Sequence, residues 1–295
     1  MAYFKKSISE KTFDAINAIT MITLSLITLY PFVYVLFGSF SNPSELVSHR
    51  GLLLYPLDFN LVSYKLVFKN PMILLGYRNT LIYLLSGTFV SIILTSLGAY
   101  ALSRKNLLWK NAIMFMLVFT MFFSGGLIPS YLLVLKLGMF DSLWAIIIPG
   151  SVSTMNIIIM RTYFQTIPAS MEESAKIDGA NEIKILFRII LPLSIPVLAV
   201  MILFYGVGHW NSWFSASLYL RERKLLPLQL ILREILITNE LTGNSAVSSA
   251  DDENFIYAET IKFATIIVAT VPILFSYPFL QRYFIKGIMI GAIKE

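Results

Sequence analysis

The sequence predicts an all-α membrane protein with six transmembrane helices, a cytoplasmic loop between the fourth and fifth, and both termini in the cytoplasm. Three observations carry this. The 295 residues are 57% hydrophobic and only 14% charged, where a soluble domain carries about 25% charged residues. Six windows of 18 or more residues contain no Asp, Glu, Lys or Arg, long enough for a bilayer core that needs about 20 residues of helix. Lys and Arg, finally, concentrate in alternate connections.

The windows are 15–44, 79–103, 111–135, 142–160, 189–220 and 263–281. They predict spans of about 15–38, 79–103, 111–135, 142–162, 189–214 and 261–282 in a single transmembrane domain covering 1–295. The first window is too long for a cleavable leader and has no small-residue cleavage site after it. It continues past Pro31 as a kinked or tilted helix. Lys5, Lys6 and Lys11 precede it, Arg104, Lys105 and Lys110 follow the second window, and Arg161, Lys176, Lys184 and Arg188 follow the fourth. Arg282, Lys286 and Lys294 close the chain. The side so defined holds 13 bases and 7 acids, the opposite side 10 of each. The net charge of +6 is therefore a topology signal. It argues against a nucleic-acid partner and for a lipid bilayer.

Two outer segments are long, 41–78 and 215–260. Pro43, Gly51, Pro56 and Pro71 make the first an irregular excursion with short helices. In the second, Leu228, Ile231, Leu232, Ile235 and Leu236 recur at helical spacing with Gln229, Arg233 and Glu234 opposite. That pattern predicts an amphipathic helix at the outer surface, followed over 238–254 by a polar, mobile loop.

The composition excludes much chemistry. There is no cysteine, hence no disulfide or thiolate site, and the two histidines, His49 and His209, offer no metal cluster. No catalytic residue set and no resident cofactor are expected. A phosphate-binding Gly-x-x-x-x-Gly-Lys-[Ser/Thr] loop is absent, and none of the charge-free windows can host the intramembrane ion relay of a secondary carrier. An energy source must come through a partner.

Loop 166–192 is the lever for it. Pro168 suits the start of a helix, with Glu172 and Glu173 in its N-terminal half. Gly179 stops that helix in a left-handed conformation. A second helix then carries Ile183, Leu186, Phe187 and Ile190 on one face, and Pro192 and Pro196 bend the approach to the fifth span. Ser174, Ala175, Gly179 and Ala180 are small, so another protein can come close at the turn.

At these residues the chain resembles the permease subunits of ATP-binding-cassette (ABC) importers of the type I fold. Their loop reads Glu-Ala-Ala, three residues, Gly, nine residues, Ile, one residue, Leu-Pro. Glu173-Ser174-Ala175, Gly179, Ile189 and Leu191-Pro192 match it, with Ser174 the one departure. The run from Glu172 to Ala180 is similar to the carbohydrate branch, specifically the maltose-type second permease. The segment Gly125 to Pro129, the run His209-Trp210-Asn211-Ser212-Trp213, the stretch Leu226 to Glu234 and the tail from Gly287 to Lys294 are similar to a subgroup handling larger, often uronic-acid-containing oligosaccharides. The resemblance implies a non-catalytic subunit paired with a homologous, non-identical permease, two cytoplasmic ATPase subunits that bind ATP and Mg, and an extracytoplasmic substrate-binding protein. It implies that the loop is a coupling helix seated on the ATPase through Glu172, Glu173, Ser174, Ala175, Asp178, Gly179 and Ala180. Relatives also place the C-terminal tail in the ATPase dimer interface.

Sugars are held by aromatic faces and by amide or hydroxyl groups. Two patches have that composition: Ser153, Thr154 and Asn156 in the fourth window, and Tyr205, His209, Trp210, Asn211 and Trp213 near the outer end of the fifth. Interhelical hydrogen bonding and an interfacial aromatic belt are the competing readings. The function expected is import of an oligosaccharide; import of amino acids or peptides on the same fold, or secondary transport, are the alternatives.

Overall fold

A computed structural model describes residues 7–245, 260–275 and 278. The described residues contain no strand. In chain order the helices are α1 (Ile8–Ser39), α2 (Pro43–Ser48), α3 (Val62–Lys69), α4 (Pro71–Ser103), α5 (Lys110–Phe122), α6 (Leu127–Lys136), α7 (Leu143–Ile147), α8 (Thr154–Phe164) and α9 (Ala169–Ile177). There follow α10 (Glu182–Ile185), a π-helical stretch over Leu186–Ile190, α11 (Leu191–Leu193), α12 (Ile195–Trp210), α13 (Trp213–Tyr219) and α14 (Leu228–Ser245). An apolar helix α15 covers Thr260–Phe275.

The chain divides into two compact units. One holds the described residues of Met1–Asn70 and Ile235–Thr270. Its α1 is one unbroken 32-residue helix despite Pro31, and none of its most apolar stretch is buried. Leu46, Leu53 and Phe263 form this unit's small core, with Tyr34, Val35 and Phe37 packed against it.

The other unit holds Pro71–Glu234 and the described residues beyond Val271. It is organised on α4, which packs along α12 and α8. The face α4 buries is mostly small or polar, with Gly76, Asn79, Thr80, Gly87, Thr88, Ser91, Thr95, Ser96 and Ala99 alongside the larger Ile73, Tyr83, Tyr100 and Leu102. Its exposed face is bulky and apolar, with Leu74, Leu81, Leu85 and Phe89. Small residues inside and large hydrophobes outside are what helix packing in lipid requires. Gly87 shows how close the approach is, since a Cβ there would lie 2.5 Å from His209 Nε2 on α12.

Continuity of the helices departs from the charge-free windows. α1 and α4 are each long and apolar enough to cross a membrane. Among the described residues, two bent pairs raise the number to four if each is one span: α5 with α6, turned by 113°, and Glu182–Leu193 with α12, turned by 89°. The third window is therefore not one straight helix. Gly126, at φ 87°, takes a backbone conformation that side chains resist, and the chain reverses through Gly125-Gly126 before Pro129. The fourth window is also interrupted: α7 ends at Ile147 and α8 begins at Thr154, with Pro149, Gly150 and Ser151 between. The expected bend before the fifth span is present at Ser194, between Pro192 and Pro196. The expected loop from 238 is helical backbone as far as Ser245, because α14 runs on to that residue. The rest of that loop, most of the end of the sixth window, and the tail from Gly287 lie outside the described residues.

Candidate coupling hairpin and transport pathway

Loop 166–192 folds as the residue pattern requires. Pro168 caps α9, Glu172 sits in its first turn, and Lys176 in its last. Gly179 reverses the chain at φ 77°, and the Asn181 side chain accepts a hydrogen bond from the Lys184 amide at 2.8 Å to start α10. Ala175 is buried on one side of α9 and joins Ile185, Leu186 and Ile190 in a core with Tyr100, Leu102, Met160 and Phe164. Of the second helix's expected face, Leu186 and Ile190 are buried, whereas Ile183 and Phe187 are exposed.

The two neighbouring glutamates part company. Glu172 is buried, its carboxylate ion-paired with Arg104 beyond the end of α4 and with Lys176 at 3.0 Å. Lys176 also reaches Glu182 at 2.8 Å. The other Glu182 oxygen accepts a hydrogen bond from the Tyr100 hydroxyl at 2.6 Å. Arg104 lies over the Tyr100 ring, 4.5 Å from its centroid, which closes the circuit. Lys176, then Tyr100, hold the Glu182 carboxyl below the usual glutamate range by hydrogen bonding to its charged form. This five-residue network binds both limbs of the hairpin to α4. Arg161 ties α8 to the same end of α4 by donating to the Leu102 carbonyl at 3.0 Å.

Glu173, Ser174, Ile177, Asp178 and Gly179 are instead exposed, and Ala180 is half-buried. Glu173 makes no ion pair among the described residues. With Met171 and Ile183 they form a surface of apolar and small side chains that carries two exposed carboxylates, Glu173 and Asp178. Beside it opens a cavity of about 1080 Å³ lined by Tyr100, Arg104, Lys105, Lys110, Glu173 and Lys176, among others. Sequence reasoning used Arg104 only for topology and passed over Tyr100 and Glu182. The Glu172/Lys176 spacing of four was visible as a helical pair; its third member, 68 residues away, was not.

The residues proposed for a sugar path separate into packed and open sets. Tyr205 is buried, its hydroxyl 2.6 Å from Thr95 Oγ1 and accepting the Ser153 amide at 3.2 Å. It therefore knots α4, α8 and α12 together. Ser153 caps α8 by accepting from the amide of Asn156, which is itself buried. Thr154 faces Thr120 on α5, their hydroxyls 3.4 Å apart. His209 is buried and hydrogen-bonded to the Gly87 backbone, and Trp210 is buried beside Tyr77 with ring centroids 6.3 Å apart. Asn211 is exposed and Trp213 half-exposed. Trp213 is also covered on one face by the Arg233 guanidinium, 3.6 Å from the ring centroid, a partner the sequence did not reveal.

At the opposite end of α4 from Arg104, Asn79 donates to the carbonyls of Lys224 and Leu226 at 2.7 and 3.0 Å. Tyr83 donates to Leu225 O at 2.7 Å, and the Leu228 amide donates to Thr80 Oγ1 at 2.9 Å. The segment leading into α14 is thus latched to α4. Asp141 ties a second loop there, accepting the Arg221 and Glu222 amides at 2.9 and 3.0 Å. Those amides, Glu222 first, hold its carboxyl below the usual range.

Comparison with known proteins identifies the family. The chain is 41% identical over 287 residues to the polygalacturonan/rhamnogalacturonan transport system permease protein YtcP of Bacillus subtilis, covering 97% of this chain and 99% of that one. It is 27% identical to the maltodextrin transport system permease protein MalD of Streptococcus pneumoniae, over 95% of each chain. It also superposes on a chain of a bacterial ABC transporter that imports the acidic polysaccharide alginate, with a TM-score of 0.85 and 33% identity over 95% of this chain and 99% of that one. Residues 73–290 match the profile of one family, so this chain belongs to the binding-protein-dependent transport system inner membrane components.

Proposed function

We propose that this chain is the permease subunit of an ATP-driven carbohydrate importer, and that the 166–192 hairpin couples it to the ATPase. The observation that carries the reading is the division of labour within the hairpin. Glu172 anchors it to α4, while the Glu173–Gly179 face stays free for another protein. A coupling element needs both a rigid attachment to the moving helices and an open face for the motor. The family match and the carbohydrate-transporting relatives support this assignment.

In this reading the chain spans the membrane six times with both termini in the cytoplasm, windows three to five crossing as broken helices. It pairs with a homologous, non-identical permease. Two ATPase subunits, which bind ATP and Mg, seat the face formed by Glu173, Ser174, Asp178, Gly179 and Ala180, held in place by Glu172 and Ala175. A substrate-binding protein delivers an oligosaccharide to the outer side. Ser153, Thr154, Asn211 and Trp213 face the path, and Asn156, Tyr205, His209 and Trp210 shape it from behind. The chain itself carries no catalytic step.

The test is co-purification of the transporter with Glu173→Lys and Gly179→Pro. The expected result is loss of the ATPase subunits or hydrolysis uncoupled from uptake. An intact complex with normal uptake in both variants would remove the hairpin from the coupling path.

A further inference from the structure

Between Arg221 and Glu234 the chain carries four cations and two acids. Arg223 is paired with Glu234 at 3.1 Å. Arg221 lies against the Phe140 ring at 5.6 Å. Arg233 is different. It is exposed, its guanidinium carbon lies over the Trp213 ring 3.6 Å from the centroid, a stacking distance, and it has no carboxylate partner among the described residues.

A guanidinium donates its hydrogen bonds in its own plane. Stacking on indole therefore occupies the face, fixes the orientation and leaves the N–H fork free at the edge. That fork matches a carboxylate with two parallel bonds. The stack also spares a ligand the entropy of ordering a long side chain, since Trp213 already does so. Part of Trp213 remains exposed beside the fork, and an aromatic face next to a carboxylate receptor suits a sugar ring bearing an acid group. The site is held firmly: Leu228, Ile231 and Leu232 bury the opposite side of α14, and the latch to Asn79 and Thr80 fixes its start.

We propose that Arg233 on Trp213 is a subsite for the carboxylate of a hexuronate unit, selecting acidic oligosaccharides at the outer side of the permease. This deepens the carbohydrate reading above and rests on it. Two relatives, a polygalacturonan/rhamnogalacturonan permease and an importer of the acidic polysaccharide alginate, are consistent with such a ligand.

The complete transporter, reconstituted in vesicles with its ATPase and binding protein, is assayed with two probes, trigalacturonate and its fully methyl-esterified form. The readout is the ratio of their import rates, which cancels any change in the amount of folded transporter. Arg233→Ala is expected to lower the acid-to-ester ratio about tenfold, the loss of one charge-assisted bidentate contact. Arg233→Lys is expected to restore part of it, because charge returns without the planar fork. A ratio unchanged in Arg233→Ala makes Arg233 a brace for Trp213 and overturns the subsite while leaving the importer assignment standing. Import of neither probe, nor of neutral oligosaccharides, by the wild-type transporter overturns the carbohydrate reading and the subsite with it.

Discussion

Replacing Glu172 by Gln should loosen the hairpin from α4 without touching its open face. The side chain keeps its shape and loses its charge. Glu172 is 10% exposed and Arg104 24%, so their pair is largely shielded from water. The contact to Lys176, 47% exposed, contributes little. Losing one well-shielded charge-assisted bond costs about 2 kcal/mol, which is about a thirtyfold shift in an equilibrium. Arg104 keeps its place over Tyr100, and Lys176 keeps Glu182, so the hairpin is loosened rather than unfolded. Hydrogen exchange read by mass spectrometry on the purified transporter checks this. Amides of 169–177 should exchange about thirtyfold faster in Glu172→Gln, with those of 154–164 changed far less. Glu173→Gln should leave protection in 169–177 at its wild-type level while weakening retention of the ATPase. Equal protection in wild type and Glu172→Gln, or the same loss in Glu173→Gln, would refute the division between anchor and open face.

Two further outcomes follow from the same geometry. Gly87→Ala forces a methyl to within 2.5 Å of His209 Nε2, and such overpacking costs about 1–3 kcal/mol; it should lower the melting temperature in detergent, and Gly87→Val should lower it further. The Glu182 carboxyl titrates below its ordinary value of 4.5 because Lys176 and Tyr100 bind its charged form. A carboxyl depressed in the folded state stabilises above its unfolded pKa, and that contribution disappears as pH falls through the folded one. The melting-temperature gap between wild type and Glu182→Gln should accordingly be constant from pH 7 to 5 and shrink below about pH 4.5.

The hairpin was legible because its determinants are local. Pro168 and Gly179 set the ends of its first helix, and Pro192 and Pro196 set the following elbow, each acting on its own few residues of backbone. The charge-free windows were less faithful. They measure what lipid accepts and not whether the helix is continuous, so Gly125-Gly126 and Pro149-Gly150 did not register as breaks inside apolar runs. The ion network escaped for a different reason. Glu172 and Arg104 are distant in sequence, and only the packing of Ala175 against the core around Tyr100 and Leu102 brings them together. Arg233 and Trp213 likewise sit on separate helices joined by a long connection. The periodicity placed Arg233 on the polar side of α14 but could not say what it would cover.

α4 has 33 residues and no break, a rod of about 50 Å. Tyr100 holds the hairpin near one end, and Asn79, Thr80 and Tyr83 hold the segment 224–228 near the other. No flexible joint lies between these two sets of fastenings, which are separated by about 30 Å of helix. Movement of the hairpin along or about this axis must therefore reach the start of α14 as a rigid displacement. Unlike α12, which is preceded by an 89° elbow, α4 has nowhere to absorb the stroke. It is the element of this permease that can act as a strut, delivering work done at one of its ends to the loop fastened at the other.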